Sequence, residues 1–201
     1  MTALLLIDIQ NDFLPGGSLA VPGGYEIIPV VSALQGRFEL VVATQDWHPP
    51  SHKSFASNHP GQPVFSQVEL DGLPQVLWPD HCIQGTAGAA LSQGLSWNCV
   101  EAIFRKGTDP AIDSYSGFYD NGHRKATGLA GYLRERGVTD ICIAGLAADY
   151  CVYYTAKDAL DAGFRATVVA DATRAIDADG FRKAAADLRE RGGLVMTSSE
   201  L

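Results

Sequence analysis

Six short runs rich in Val, Ile and Leu, separated by four amphipathic stretches, constrain this chain more than any other feature. The runs are Ala3–Ile9, Glu39–Thr44, Val100–Arg105, Asp140–Ala144, Ala166–Ala170 and Leu194–Thr197. Near-continuous apolar runs suit strands covered on both faces, where no residue faces water. Between them, Ile27, Ile28, Val31 and Leu34 share one helical face, with Gly36 as a stop. Ala126, Leu129, Ala130 and Leu133 repeat the pattern up to Gly137, and Val152, Ala156, Ala159 and Leu160 up to Gly163. Phe181, Ala184, Ala185 and Leu188 form the last stripe, closed by Gly192. Each stripe is one face of a helix with a glycine at its C-terminal end. Strands alternating with helices predict an α/β fold: a doubly wound, mostly parallel six-stranded sheet with helices on both faces. No repeat or linker divides residues 1–201, so one domain is expected. A chain of that length buries roughly 70% of its unfolded surface, and its core needs no disulfide.

Charge narrows the partners. Fifteen Lys and Arg stand against 23 Asp and Glu, a formal net charge of −8. With no basic cluster to displace counterions, nucleic acid is not an expected partner. No apolar run reaches the length of a membrane helix, and Ala3–Ile7 ends at Asp8, too short for a secretion signal. No membrane partner is expected. Cys82, Cys99, Cys142 and Cys151 form neither a C-x-x-C pair nor a disulfide framework, so a reduced, cytoplasmic protein is expected. No linear pattern reports the oligomeric state, and a homo-oligomer is compatible with the sequence.

In an open parallel sheet, ligands bind beyond the carboxyl ends of the strands. Asp8 closes the first run, Asp46 and His48 follow the second, Lys106 follows the third and Cys151 lies just past the fourth. A parallel sheet would gather these distant residues at one edge. Asp149 is a candidate N-cap for a helix from about Tyr150, which would put Cys151 in the first turn, where the helix dipole favours a thiolate. Asp8 could take a thiol proton, and the Lys106 ammonium would balance the charge. A second set, Asp46 and His48 with His81, offers two imidazoles and a carboxylate, donors that suit Zn²⁺ or Fe²⁺ and leave positions open. His52 is near enough to serve as a reserve ligand, whereas His59 and His123 read as ordinary loop histidines. The irregular stretch Asp46–Leu95 holds four of the five histidines, and so long a loop in a compact domain is functional rather than idle. No dinucleotide, Walker A or H-E-x-x-H motif occurs.

At these residues the sequence resembles the nicotinamidases of the isochorismatase-like cysteine hydrolases. The matching motifs are Leu6-Ile7-Asp8-Ile9-Gln10-Asn11-Asp12-Phe13, Thr44-Gln45-Asp46-Trp47-His48-Pro49 and Trp78-Pro79-Asp80-His81-Cys82. They continue with Phe104-Arg105-Lys106-Gly107, Ser114-Tyr115-Ser116-Gly117-Phe118 and Gly145-Leu146-Ala147-Ala148-Asp149-Tyr150-Cys151. The resemblance implies an amidohydrolase with a catalytic triad of Asp8, Lys106 and Cys151. It implies one divalent metal on Asp46, His48 and His81, with zinc expected first and iron or manganese compatible with the same donors. It further implies that Phe13 and Trp78 flank a pyridine ring, that Tyr115 lines the pocket, and that the N–H groups of Ala147 and Cys151 form an oxyanion hole. A cis bond at Leu146–Ala147 belongs to the same pattern, whereas Ala148 departs from it, since the family often carries Thr there. The substrate implied is nicotinamide, with pyrazinamide a second expected one.

Three other readings fit the residues: an amidase of the same scaffold acting on another small amide, a hydrolase in which metal-bound water attacks and Cys151 is a bystander, and a binding protein without catalysis.

Overall fold

The computed structural model describes Met1–Leu201. All six apolar runs are strands of one sheet: β1 (Thr2–Ile7), β2 (Leu40–Asp46), β5 (Val100–Lys106), β6 (Asp140–Leu146), β7 (Arg165–Arg174) and β8 (Leu194–Met196). Their order is β5-β2-β1-β6-β7-β8, and every neighbouring pair is parallel. The four helical stretches are α1 (Ile27–Gln35), α2 (Leu129–Glu135), α3 (Tyr153–Asp161) and α4 (Ala178–Glu190).

Alternation along the strands distributes the core over two layers. Leu4, Leu6, Val41, Ala43 and Cys142 pack with Ile27, Val31 and Leu34 of α1. Ala3, Leu5, Val42, Ile141 and Ile143 pack on the other side with Leu133 of α2, Ala156 of α3 and Leu188 of α4. This division follows from right-handed crossovers. The chain moves from β1 to β2 in one direction across the sheet and from β6 to β8 in the other, so its helices fall on opposite faces. The reversal lies between β1 and β6, and a crevice opens there at the carboxyl ends of the strands.

Gly137, Gly163 and Gly192 end α2, α3 and α4 with φ of 70°, 87° and 88°, the left-handed closure that glycine permits. Gly36 does not behave this way: its φ is −76°, and α1 ends without that device. The irregular stretch also contains order that apolar periodicity does not reveal. Gln67–Leu70 (β3) and Leu73–Val76 (β4) form an antiparallel hairpin joined by Asp71 and Gly72, both with positive φ. An Asp-Gly pair between two short runs is the signal for such a turn.

Candidate active site

Asp46 and Lys106 are register partners at the ends of β2 and β5, so the pleat turns both side chains to one face. Asp8 leaves β1 with a left-handed φ of 47°, and Cys151 follows β6. Lys106 is the hub that joins them. Its Nζ lies 2.9 Å from Asp8 Oδ2, 2.5 Å from Asp46 Oδ1, 2.8 Å from the Ser114 carbonyl and 3.5 Å from Cys151 Sγ. All four side chains are buried. Asp8 Oδ1 accepts the Thr44 hydroxyl at 2.6 Å, and the Thr44 oxygen accepts the Asp8 N–H at 3.2 Å. Asp8 Oδ2, although beside the ammonium, receives no well-directed hydrogen bond, which leaves a lone pair able to take a proton.

The environment decides the charges. Burial raises the Asp8 carboxyl above its ordinary range, against the pull of Lys106. For Lys106, burial works against the charge, but the carboxylates of Asp46 and Asp8 outweigh it and hold the ammonium protonated. Burial pushes the Cys151 thiol well above its usual range, and the nearby ammonium offsets only part of that. The thiolate expected from a helix start is therefore corrected: Cys151 rests as a thiol and needs a base. The local structure differs in the same way. Residues Ala148–Val152 form a π-type turn ahead of α3, and Asp149 does not cap it. Its carboxylate instead accepts the N–H groups of Ile176 and Asp177 at 3.0 and 2.8 Å.

Beside the hub, Asp46 Oδ2 lies 3.5 Å from His48 Nε2 and 4.0 Å from His81 Nε2. Nδ1 of His48 meets the Gly107 carbonyl and Nδ1 of His81 the Pro79 carbonyl, each at 2.8 Å. A carbonyl can only accept, so each ring carries its hydrogen on Nδ1 and turns the Nε2 lone pair inward, the orientation of a metal ligand. Burial lowers His81 to about 4, keeping it neutral. Burial disfavours the Asp46 charge, but Lys106 and His48 outweigh it and hold the carboxyl well below its ordinary range. These two groups are thus already in their ligating forms. His48 is raised, because the attraction of the Asp46 carboxylate outweighs the effect of burial. The donor set fits a divalent ion.

Phe13, Trp78 and Tyr115 line one pocket together with Asp46, His81, Ala147 and Cys151. Trp78 Nε1 donates to the Tyr115 hydroxyl at 3.2 Å, and Tyr150 meets Trp78 edge-on at 4.9 Å. Aromatic walls held at fixed angles form a slot for a planar ring. The Leu146–Ala147 bond is cis, as the resemblance implied, and Ala148 beside it is fully buried. His52 lies against His48, with centroids 4.4 Å apart. His59 and His123 sit elsewhere, bonded to the Lys53 carbonyl and paired with Asp158.

Several supporting residues escape sequence reasoning. Gln10 clamps the Asp46 backbone, donating to its carbonyl and accepting its N–H, both at 2.8 Å. Asp12 accepts the Cys82 N–H at 2.7 Å and so anchors the loop of His81. Leu19, Asp113, Tyr150 and Ile176 complete the pocket wall. Leu19, Asp113 and Ile176 lie on three separate loops and their spacing carries no signal, whereas Tyr150 comes with the π-type turn ahead of α3.

Comparison with known proteins agrees with this geometry. The model of the isochorismatase domain matches residues 2–200. A nicotinamidase of Acinetobacter baylyi is 49% identical over 178 residues, 89% of this chain and 83% of that protein. The structure of a nicotinamidase and pyrazinamidase from Acinetobacter baumanii superposes with a TM-score of 0.96 at 46% identity, covering 99% of this chain and 97% of that one. A Pyrococcus horikoshii pyrazinamidase in complex with zinc superposes with a TM-score of 0.80 at 37% identity over 98% of both chains.

Proposed function

The chain belongs to the isochorismatase domain family, where it stands with the nicotinamidases, and from that footing we propose that it hydrolyses nicotinamide to nicotinic acid and ammonia. The observation that carries this reading is the position of Lys106, which ties a thiol and its base to the carboxylate of a metal-donor set at one aromatic slot. Asp8, Lys106 and Cys151 are the catalytic residues, and Asp46, His48 and His81 the metal ligands. A divalent ion on those ligands, zinc in this reading, supplies an anchor for the ring nitrogen. Phe13, Trp78 and Tyr115 hold the ring between their faces and exclude water.

The chemistry then runs on the chain's own groups. Asp8 Oδ2 takes the proton of the Cys151 thiol, and sulfur attacks the carboxamide carbon. The carbonyl oxygen becomes an oxyanion met by the N–H groups of Ala147 and Cys151. Asp8 returns the proton to the amide nitrogen, ammonia leaves, and a thioester to Cys151 remains. Water adds to the thioester with Asp8 again as base, the carbon–sulfur bond breaks, and nicotinic acid and the thiol are released. Lys106 stays protonated throughout and offsets the negative charge as it moves between sulfur and carboxylate.

Pyrazinamide has a ring nitrogen in an equivalent place and is a second substrate. Four free thiols suit a reducing cytoplasm, and no helix is long and apolar enough to cross a membrane.

The test is ammonia release from nicotinamide by the wild type and Cys151→Ala, with metal content measured in both. Release by the wild type alone, with metal retained in the variant, is expected. An active variant would move the attack to metal-bound water, and a silent wild type would make nicotinamide the wrong substrate.

A further inference from the structure

Phe65 is an aromatic ring in a place that stability alone does not explain. It stands two residues before β3 with a left-handed φ of 68°, a conformation that a bulky residue adopts only at a cost. It is also 59% exposed, so little apolar burial offsets that cost. The Phe65 N–H donates to the Leu77 carbonyl at 2.6 Å, and the Leu77 N–H to the Ser66 carbonyl at 2.8 Å, which ties this turn to the residue before Trp78. Glycine or asparagine would hold the same turn more cheaply, and a polar side chain would suit the exposure. The phenyl ring itself is therefore what the position requires. Its ring contact is with Trp78, edge-on at 85° with centroids 6.1 Å apart. Three rings stand edge-on to that indole: Tyr150 at 87°, and Tyr115 and Phe65 at 85°. Tyr115 and Tyr150 line the slot with Trp78, whereas Phe65 does not. Phe65 thus backs the indole from outside the slot.

We infer that Phe65 is a positioning residue for substrate binding: its edge sets the plane of the Trp78 indole, and so the fit of the slot around a planar heteroaromatic amide. This rests on the slot being the substrate site, as in the function proposed above. An edge-to-face pair prefers a definite angle, whereas an aliphatic group of similar bulk fills the space without fixing one. An indole free to tilt meets the substrate ring less well and lowers affinity. No hydrogen bond or ring contact joins Phe65 to Asp8, Lys106 or Cys151, so the effect falls on binding and leaves the chemical step alone. The backbone cost at Phe65 is then strain held for the site.

The test is steady-state kinetics on nicotinamide with the wild type and three variants. Phe65→Asn keeps the turn and removes the ring, Phe65→Leu keeps the bulk without the ring edge, and Phe65→Tyr keeps the ring. In the first two, KM is expected to rise about two- to tenfold, the range of one aromatic pair, with kcat held within about twofold. Phe65→Tyr is expected to restore the wild-type KM. A wild-type KM in Phe65→Asn, or a rescue by leucine as complete as by tyrosine, would overturn the inference. So would a joint fall of kcat and unfolding temperature, the mark of a merely structural role. Near-ultraviolet circular dichroism of the substrate-free proteins gives a readout that needs no activity. Phe65→Leu should lose part of the indole signal that Trp78→Phe also removes, and unchanged bands would overturn the inference. A wild type inert towards nicotinamide would sink the functional reading instead, and the dichroism would still decide whether Phe65 fixes Trp78.

Discussion

Gly107 follows Lys106 and its carbonyl holds His48, and replacing it with alanine separates two physical costs. Its φ is 63°, so alanine there carries the left-handed penalty of about 1–2 kcal/mol. A Cβ at this position would also lie 2.6 Å from His48 Nδ1 and closer still to Cε1. Non-bonded atoms settle near 3.5 Å, so the ring must move by about an ångström. His48 has no room to yield, being fully buried and packed against Phe55, His52 and His81. Displacement breaks its bond to the Gly107 carbonyl, about 1 kcal/mol, and turns Nε2 from the site, about 10- to 100-fold in metal affinity. Gly137 is the control, because its φ is 70° and a Cβ there meets nothing within 4 Å. Gly137→Ala is expected to lose about 1–2 kcal/mol of stability and no metal affinity. Gly107→Ala is expected to lose both. Thermal unfolding of the metal-free proteins and chelator competition measure the two effects. Equal stability losses with wild-type zinc affinity in both variants would refute the steric reasoning.

Three further outcomes follow from the site. Thr44→Val removes both hydrogen bonds to Asp8 at nearly constant volume and is expected to cost about 1–3 kcal/mol in kcat with KM little changed; steady-state kinetics would expose the opposite split if Thr44 merely shapes the pocket. Burial holds the Cys151 thiol protonated, with an ordinary value of 9.0 and a strong upward shift, so iodoacetamide inactivation of the metal-free protein should still be accelerating as pH rises past 9. A plateau near neutrality would mean a resting thiolate. Asp149→Ala frees the N–H groups of Ile176 and Asp177, loosening one pocket wall, and should raise KM for nicotinamide while kcat holds, with about 1 kcal/mol of stability lost for each bond.

The apolar period specified the six strands, the four helices and a parallel sheet, but not the strand order; burial on both faces marks nearly every residue of β1, β2 and β6, whereas the edge strands β5 and β8 were legible although part of each is exposed. The positions of Asp8, Asp46, Lys106 and Cys151 at strand ends were legible for the same reason. The Asp71-Gly72 turn was also written locally, but its flanks Gln67–Leu70 and Leu73–Val76 are half-exposed and mixed in polarity, so periodicity passed over them. Gln10 and Asp12 fall within the first quoted motif, but their partners, Asp46 and Cys82, lie far along the chain and could not be read from it; Asp113 left no local trace. Only the tertiary structure decided protonation. Near Cys151 the sequence shows a strand end and a helix start, features that favour a thiolate. In the fold the thiol is enclosed by Lys106, Asp8 and the slot, and desolvation outweighs the local field. A charge state depends on everything within a few ångströms, and most of those neighbours lie more than forty residues away in the chain.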